Sequence, residues 1–259
     1  MLRLALIGIT AFVCSVGFPP AAQLRVPQLY HTIQSAIDAA SDGDTVIVAP
    51  GLYYENIDFL GKAITVQSTD PSDPAVVHAT IIDGSGADCV TFRNNEDERS
   101  VLRGMSLTNG LRGVYCHWAA HPTIHENTIT GTLSSSSIYC RNACGVVDGN
   151  TMDRSISIYG TYGTGIVVRR NITSGMNIWA DFQRNGPIVI EENVVIAGSG
   201  GIIVEDSYGS SFPVTVSRNI IDGRWGISIY SYNKPLVMTI AGNLTRGGAL
   251  PATTQVPFR

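Results

Sequence analysis

The chain has 259 residues, 15% of them charged, a formal net charge of −4 and only two lysines, Lys62 and Lys234. An average globular protein carries about 25% charged residues, and both disorder and coiled coils need many charges, so neither class fits. So few lysines leave no basic face to grip phosphates, which argues against nucleic-acid partners, while 27 glycines point to a β-rich body with many tight corners.

Arg3 followed by the uncharged apolar run Leu4 to Phe18 and the small residues Ala21 and Ala22 reads as a secretory signal peptide over residues 1–22. At about 15 residues the run is short for a bilayer, which needs about 20. Cys14 follows Val13 rather than a small residue, which speaks against a lipoprotein anchor. The expectation is an exported mature chain over 23–259, extracellular or periplasmic, with no membrane segment. Four cysteines remain in it: Cys89, Cys116, Cys140 and Cys144. An oxidising compartment permits disulfides, and their pairing is left open; the absence of any Cys-x-x-Cys pair gives zinc little support. Small thiols buried in a packed interior are the simpler reading.

One helix is expected. Thr32 to Ser41 places Ile33, Ala36, Ile37 and Ala40 on one face, suited to cover the first open edge of a sheet. Thr45–Val48, Ala63–Val66 and Cys89–Phe92 then read as strands, and Met105 to Gly110 begins a repeat. In that repeat, alternating apolar residues lead to an asparagine and a short apolar piece. The asparagines are Asn127, Asn150, Asn171, Asn193, Asn219 and Asn243, at spacings of 23, 21, 22, 26 and 24. Three positions before each stands Ile124, Val147, Val168, Ile190, Val216 or Ile240. A further strand precedes each phrase, with inward apolar positions at Val114, Ile138, Ile158, Ile178, Val204 and Ile229.

A period near 23 with no helical stretch is one rung of a parallel β-solenoid, since helical repeats are longer. Stacked at about 4.8 Å, roughly eight rungs make a single domain about 40 Å long. The recurrent asparagine fits a corner, where it tolerates left-handed backbone and can bond a neighbouring rung. Asn171-Ile-Thr and Asn243-Leu-Thr match the glycosylation triplet, but their place at the same corner makes them structural.

Tyr30 to Ala40, followed by Asp42 to Glu55, resembles the entry segment of right-handed parallel β-helix proteins of the pectin-lyase-like superfamily. Gly113 to Cys116 and Pro122 to Gly131 are similar to that group's internal repeats. The resemblance covers about residues 25–246. It implies an all-β, single-stranded right-handed parallel β-helix of about eight rungs with an N-terminal capping helix. It leaves activity open, because that superfamily holds lyases, hydrolases, esterases, epimerases and non-catalytic surface proteins. The aspartate set and Gly-His-Gly of polygalacturonase-like enzymes are missing. So are the Gln-Asp-Thr of the methylesterases and the Trp-x-Asp-His of the pectate lyases.

Stacking the rungs yields columns. The two residues before each corner give His125, Asp148, Arg169, Glu191, Ser217 and Glu126, Gly149, Arg170, Glu192, Arg218, alternating in sign and read as exposed stabilising ladders. Glu191 and Glu192 would neutralise Arg169 and Arg170. On the other strand, the outward residues are Tyr115, Tyr139, Tyr159, Trp179, Glu205 and Tyr230, an aromatic strip interrupted by one carboxylate. Aromatic faces with polar edges suit sugar rings. Asp181 and Glu205 on adjoining rungs would have the roughly 5 Å spacing of a retaining carboxylate pair, and Arg141 and His117 lie on the same strip, where the arginine could pair with a uronate carboxylate. No cofactor is expected. Calcium at Asp42-Gly-Asp44 or Asp83-Gly84 is the one metal reading, and these look like turns.

The functional expectation is a secreted protein that binds or cleaves an acidic polysaccharide, as a lyase or glycoside hydrolase if it is an enzyme. Catalysis would fall to Asp181, Glu205, Arg141 and His117, and binding to Tyr115, Tyr139, Tyr159, Trp179 and Tyr230. The alternative is a non-catalytic cell-surface or matrix solenoid.

Overall fold

The computed structural model describes residues 20–143, 145–160, 165–180, 186–196, 200–206, 213–231, 237–246 and 252–255. Residues 1–19 of the expected leader, Cys144, Asp181 and most of the C-terminal stretch from Gly247 lie outside the described residues.

Alternation of apolar and polar residues over short strands gives each rung inward and outward faces, and stacking the rungs buries the inward ones. The result is an all-β parallel solenoid of about eight turns. Its strands form three parallel sheets of 10, 9 and 9 strands. The first sheet runs from Gln23–Val26 to Met238–Ala241, the second from Gly51–Tyr54 to Leu244–Arg246, and the third from Ile57–Asp58 to Ala252–Gln255. Leu102, Ile124, Val147, Val168, Ile190 and Val216 stand in register as one inward column of the first sheet, each fully buried. Burying a side chain of this size is worth about 1.5–3 kcal/mol, so the column alone is a large share of the fold's drive.

The first helix forms over Ile33–Ala39, with Thr32 as its N-cap in a capping box with Ser35. Glu55 accepts from the backbone amides of Ile33 and Gln34, placing a carboxylate at the positive end of the helix. At the other end Lys62 donates to the carbonyls of Ile37, Asp38 and Ala40. Half of the chain's small lysine complement therefore serves a helix terminus. A second helix, Pro74–Ala79, was not expected from the sequence. Asp73 caps it and Pro74 starts it, but six residues are too few to show a helical period. It rests on the outer face of the second sheet, where Ser106 donates to the Val77 carbonyl.

The corner differs from the expectation. The left-handed residue is not the asparagine but the one before it: Glu126, Gly149, Arg170, Glu192, Arg218 and Gly242 have φ between +54° and +67°, as does Gly104 before Met105 at the equivalent corner. The asparagines turn inward instead. Each backbone amide and Nδ2 donates to the Oδ1 of the next, from Asn127 through Asn243, at 2.9–3.1 Å. Each Nδ2 also donates to a carbonyl of the preceding rung's core strand, as Asn171 does to Val147. Asn150, Asn171, Asn193 and Asn219 are fully buried, so the triplet at Asn171 is structural.

Candidate functional site

The aromatic strip lies on the outer face of the third sheet, with one change of register. Tyr115 pairs with Tyr139, but Tyr139 then pairs with Ser157, and Tyr159 pairs with Arg141. A bulge between Ser136 and Ile138 accompanies the slip. A two-residue slip preserves the inward–outward alternation, so the hydrophobic pattern allows both registers. One outward row therefore holds His117, Arg141, Tyr159, Trp179, Glu205 and Tyr230, and Tyr115 and Tyr139 stand in the row beside it. The predicted alignment of Trp179, Glu205 and Tyr230 is the one observed.

The rings still touch in sequence, crossing diagonally between rows. Centroid separations are 6.0 Å for Tyr115–Tyr139, 5.2 Å for Tyr139–Tyr159 and 4.3 Å for Tyr159–Trp179, the last pair stacked at 14°. Tyr159 and Trp179 cover each other's faces, whereas the other two pairs are tilted, and all four rings are half-buried. Burial raises the pKa of Tyr115 and Tyr159, which keeps both hydroxyls protonated.

Two residues missed by sequence reasoning complete the strip. Arg112 precedes the strand Val114–His117 and lays its guanidinium 3.9 Å from the Tyr115 centroid, anchored at Nε by Asp88 at 2.7 Å. Trp118 follows that strand, packs edgewise on His117 at 4.6 Å and remains 63% exposed. Trp118 and Ala119 are both left-handed, with φ of 52° and 57°, and the Ala119 amide bonds the Asn142 carbonyl. This costly backbone holds one broad aromatic face open at the end of the strip. The signal available was a Trp directly after an outward His, but it lies off the strand, where alternation says nothing.

Charge is distributed unevenly along the row. Arg141 is exposed and forms no ion pair among the described residues, and it stands between His117 and Tyr159. Burial, reinforced by the Arg141 and Arg112 guanidinium groups, holds His117 below the usual imidazole range. At the other end the Trp179 Nε1–H donates to Glu205 Oε2 at 2.6 Å. Glu205 is thus engaged by the indole on the facing rung. Its register partner is Trp179, two positions before Asp181, which lies outside the described residues.

The ladders on the first sheet are structural. His125, Asp148, Arg169, Glu191 and Ser217 stand in register as expected. Asp148, however, is buried rather than exposed, and it pairs with both Arg169 and Arg170. Glu191 and Glu192 bind Arg218 instead of the two arginines expected. The proposed calcium carboxylates hold turns: Asp44 accepts from Ala22 and Ser41, Asp42 from Ala63, and Asp83 from Ser85 and Asn109. Cys116 and Cys140 are buried in register on adjacent rungs, and Cys89 is buried. No helix among the described residues is long and apolar enough to cross a membrane.

No protein-family model matches the chain, and no solved structure matches it. Over 121 residues the chain is 29% identical to a cell surface glycoprotein of Methanothermus fervidus. That match takes in 46% of this chain and 19% of the glycoprotein, so the chain spans a minor part of that protein's length.

Proposed function

We propose that this is a cell-surface or secreted β-solenoid that binds polysaccharide carrying anionic groups, without cleaving it. The binding strip runs from Trp118 through His117, Arg141 and Tyr159 to Trp179. The observation that carries this reading is Arg141, an exposed guanidinium without an ion-pair partner among the described residues, set between His117 and Tyr159 in the outward row. A fork of N–H donors suits a uronate carboxylate or a sulfate ester. The open face of Trp118 suits the apolar face of a sugar ring. Non-catalytic binding is supported by Glu205, whose carboxylate accepts the Trp179 indole and so orients a ring. The similarity to a cell surface glycoprotein supports the surface location, and the alternative is a purely structural rod.

A glycan array with neutral, uronate and sulfated chains, plus assays for reducing ends and unsaturated products, tests the reading. Wild type should bind anionic chains and release no product, and Trp118→Ala, Arg141→Ala and Trp179→Ala should each weaken binding. No binding anywhere on the array leaves the structural rod. Product formation that depends on Asp181 would instead make the protein an enzyme.

A further inference from the structure

The outer face of the second sheet changes character along the rod. Its outward row reads Ile81, Ser106, Thr128, Thr151, Ile172, Val194, Ile220 and Leu244, in register from rung to rung. The helix Pro74–Ala79 covers the first positions, burying Ser106 beneath Val77. The middle positions are threonines. The last rungs are aliphatic and bare: Ile172 is 42% exposed, Ile220 48% and Leu244 63%. Ile196 in the neighbouring outward row is 58% exposed, and Trp225 in the adjoining turn 57%. Large apolar patches on ordinary monomers commonly mark interaction sites. An exposed Trp within an aliphatic patch is also the usual composition of an interface centre.

The charges beside the patch indicate what covers it. Asp222 and Arg246 are exposed neighbours on adjacent rungs, and neither forms an ion pair among the described residues. Opposite charges one rung apart are self-complementary under a two-fold axis lying along the strands, because that operation reverses the order of the rungs. It lays Ile220 against the partner's Leu244 and, two residues on, Asp222 against the partner's Arg246. Each contact occurs twice, as an isologous interface requires. A foreign partner would need no such pairing of signs.

We propose that this face joins two copies of the chain, with Ile220, Leu244 and Trp225 at the centre and the Asp222–Arg246 pairs fixing the register. Only a few apolar side chains make up the patch, so the association is weak and concentration-dependent. It lies on a different sheet from the aromatic strip and does not depend on glycan binding.

Sedimentation velocity over a concentration series tests it, with circular dichroism as a folding control for the exposed positions. Wild type should pass from monomer to dimer, and Ile220→Glu should raise the dissociation constant at least tenfold. Asp222→Arg and Arg246→Asp should each weaken the dimer, and the double reversal should restore it. A chain that stays monomeric throughout overturns the proposal, as does a dimer indifferent to Ile220→Glu or a double reversal that fails to rescue. Flotation of a monomeric chain with phosphatidylglycerol vesicles, lost in Ile220→Glu, would assign the face to lipid instead.

Discussion

The indole of Trp179 and the carboxylate of Glu205 face each other on adjacent rungs, joined by a 2.6 Å hydrogen bond from Nε1 to Oε2. With Tyr159 stacked 4.3 Å away on the other side, the indole is fixed by both neighbours. Glu205→Gln keeps an acceptor and should preserve glycan binding, whereas Glu205→Ala releases the ring. Trp179→Ala should weaken binding about tenfold, or about 1.4 kcal/mol, by isothermal titration. Its effect on stability should stay near the ~0.5–1.5 kcal/mol of an aromatic pair. Unchanged affinity in Trp179→Ala would remove the ring from the binding strip.

The buried asparagines make a second, sharper prediction. Asn171 accepts from the amide and Nδ2 of Asn150 at 3.0 Å, and donates to Val147 and Asn193. Asn171→Ala strands two donors and a carbonyl at once, each costing about 1–3 kcal/mol when buried. A loss of about 3 kcal/mol or more is expected, lowering the melting temperature by roughly 6–12 °C. The adjacent, exposed Ile172→Thr should stay within about 0.5 kcal/mol. Equal effects at the two positions would contradict the ladder.

The same asparagines explain what was legible. A requirement that recurs on every rung, such as an amide bonding the rung above and below, prints itself on the sequence at the repeat's own period. The inward column through Ile124, Val147 and Val168 was readable for the same reason. The left-handed corner was hidden, because Glu126, Arg170, Glu192 and Arg218 occupy it as well as glycine. Their side chains recover cross-rung ion pairs there, so residue type did not betray backbone shape. The strip was legible as composition but not as geometry. Alternation alone could not tell the Tyr139–Tyr159 pairing from the observed Arg141–Tyr159 one. Trp118 and Arg112 lie beyond strand ends, where periodicity carries no information.

His117 makes the strip sensitive to pH. Burial and the guanidinium groups of Arg141 and Arg112 depress its pKa in the folded state. Just below the usual imidazole range the unfolded chain therefore binds a proton that the folded chain resists, and stability falls as pH drops through that window. Arg141→Gln removes one of the two charges, so the His117 ring-proton titration, followed by NMR, should move upward. A bound anionic glycan should move it the same way, and by linkage its affinity should rise on acidification. An anionic ligand that leaves the His117 titration in place does not occupy this end of the strip.

Cys89 offers a test of packing that is independent of any ligand. Burial pushes its thiol up to about 12, although contact with the Gly84 and Thr108 backbone pulls the other way, and the nearby Asp83 and Asp88 carboxylates add to the rise. The thiolate is the reactive form, so at pH 8 almost none is present in the native chain. Iodoacetamide should leave the Cys89 peptide unmodified under native conditions and label it fully in denaturant, as read by mass spectrometry. Gly84 and Gly110 both approach the Cys89 sulfur so closely that an added Cβ would lie 2.8 and 2.7 Å from it. Gly110→Ala should therefore loosen this corner and make Cys89 labelling in the folded protein measurable. Rapid native labelling of the wild-type chain would mean that the rung around Cys89 opens far more readily than its packing allows.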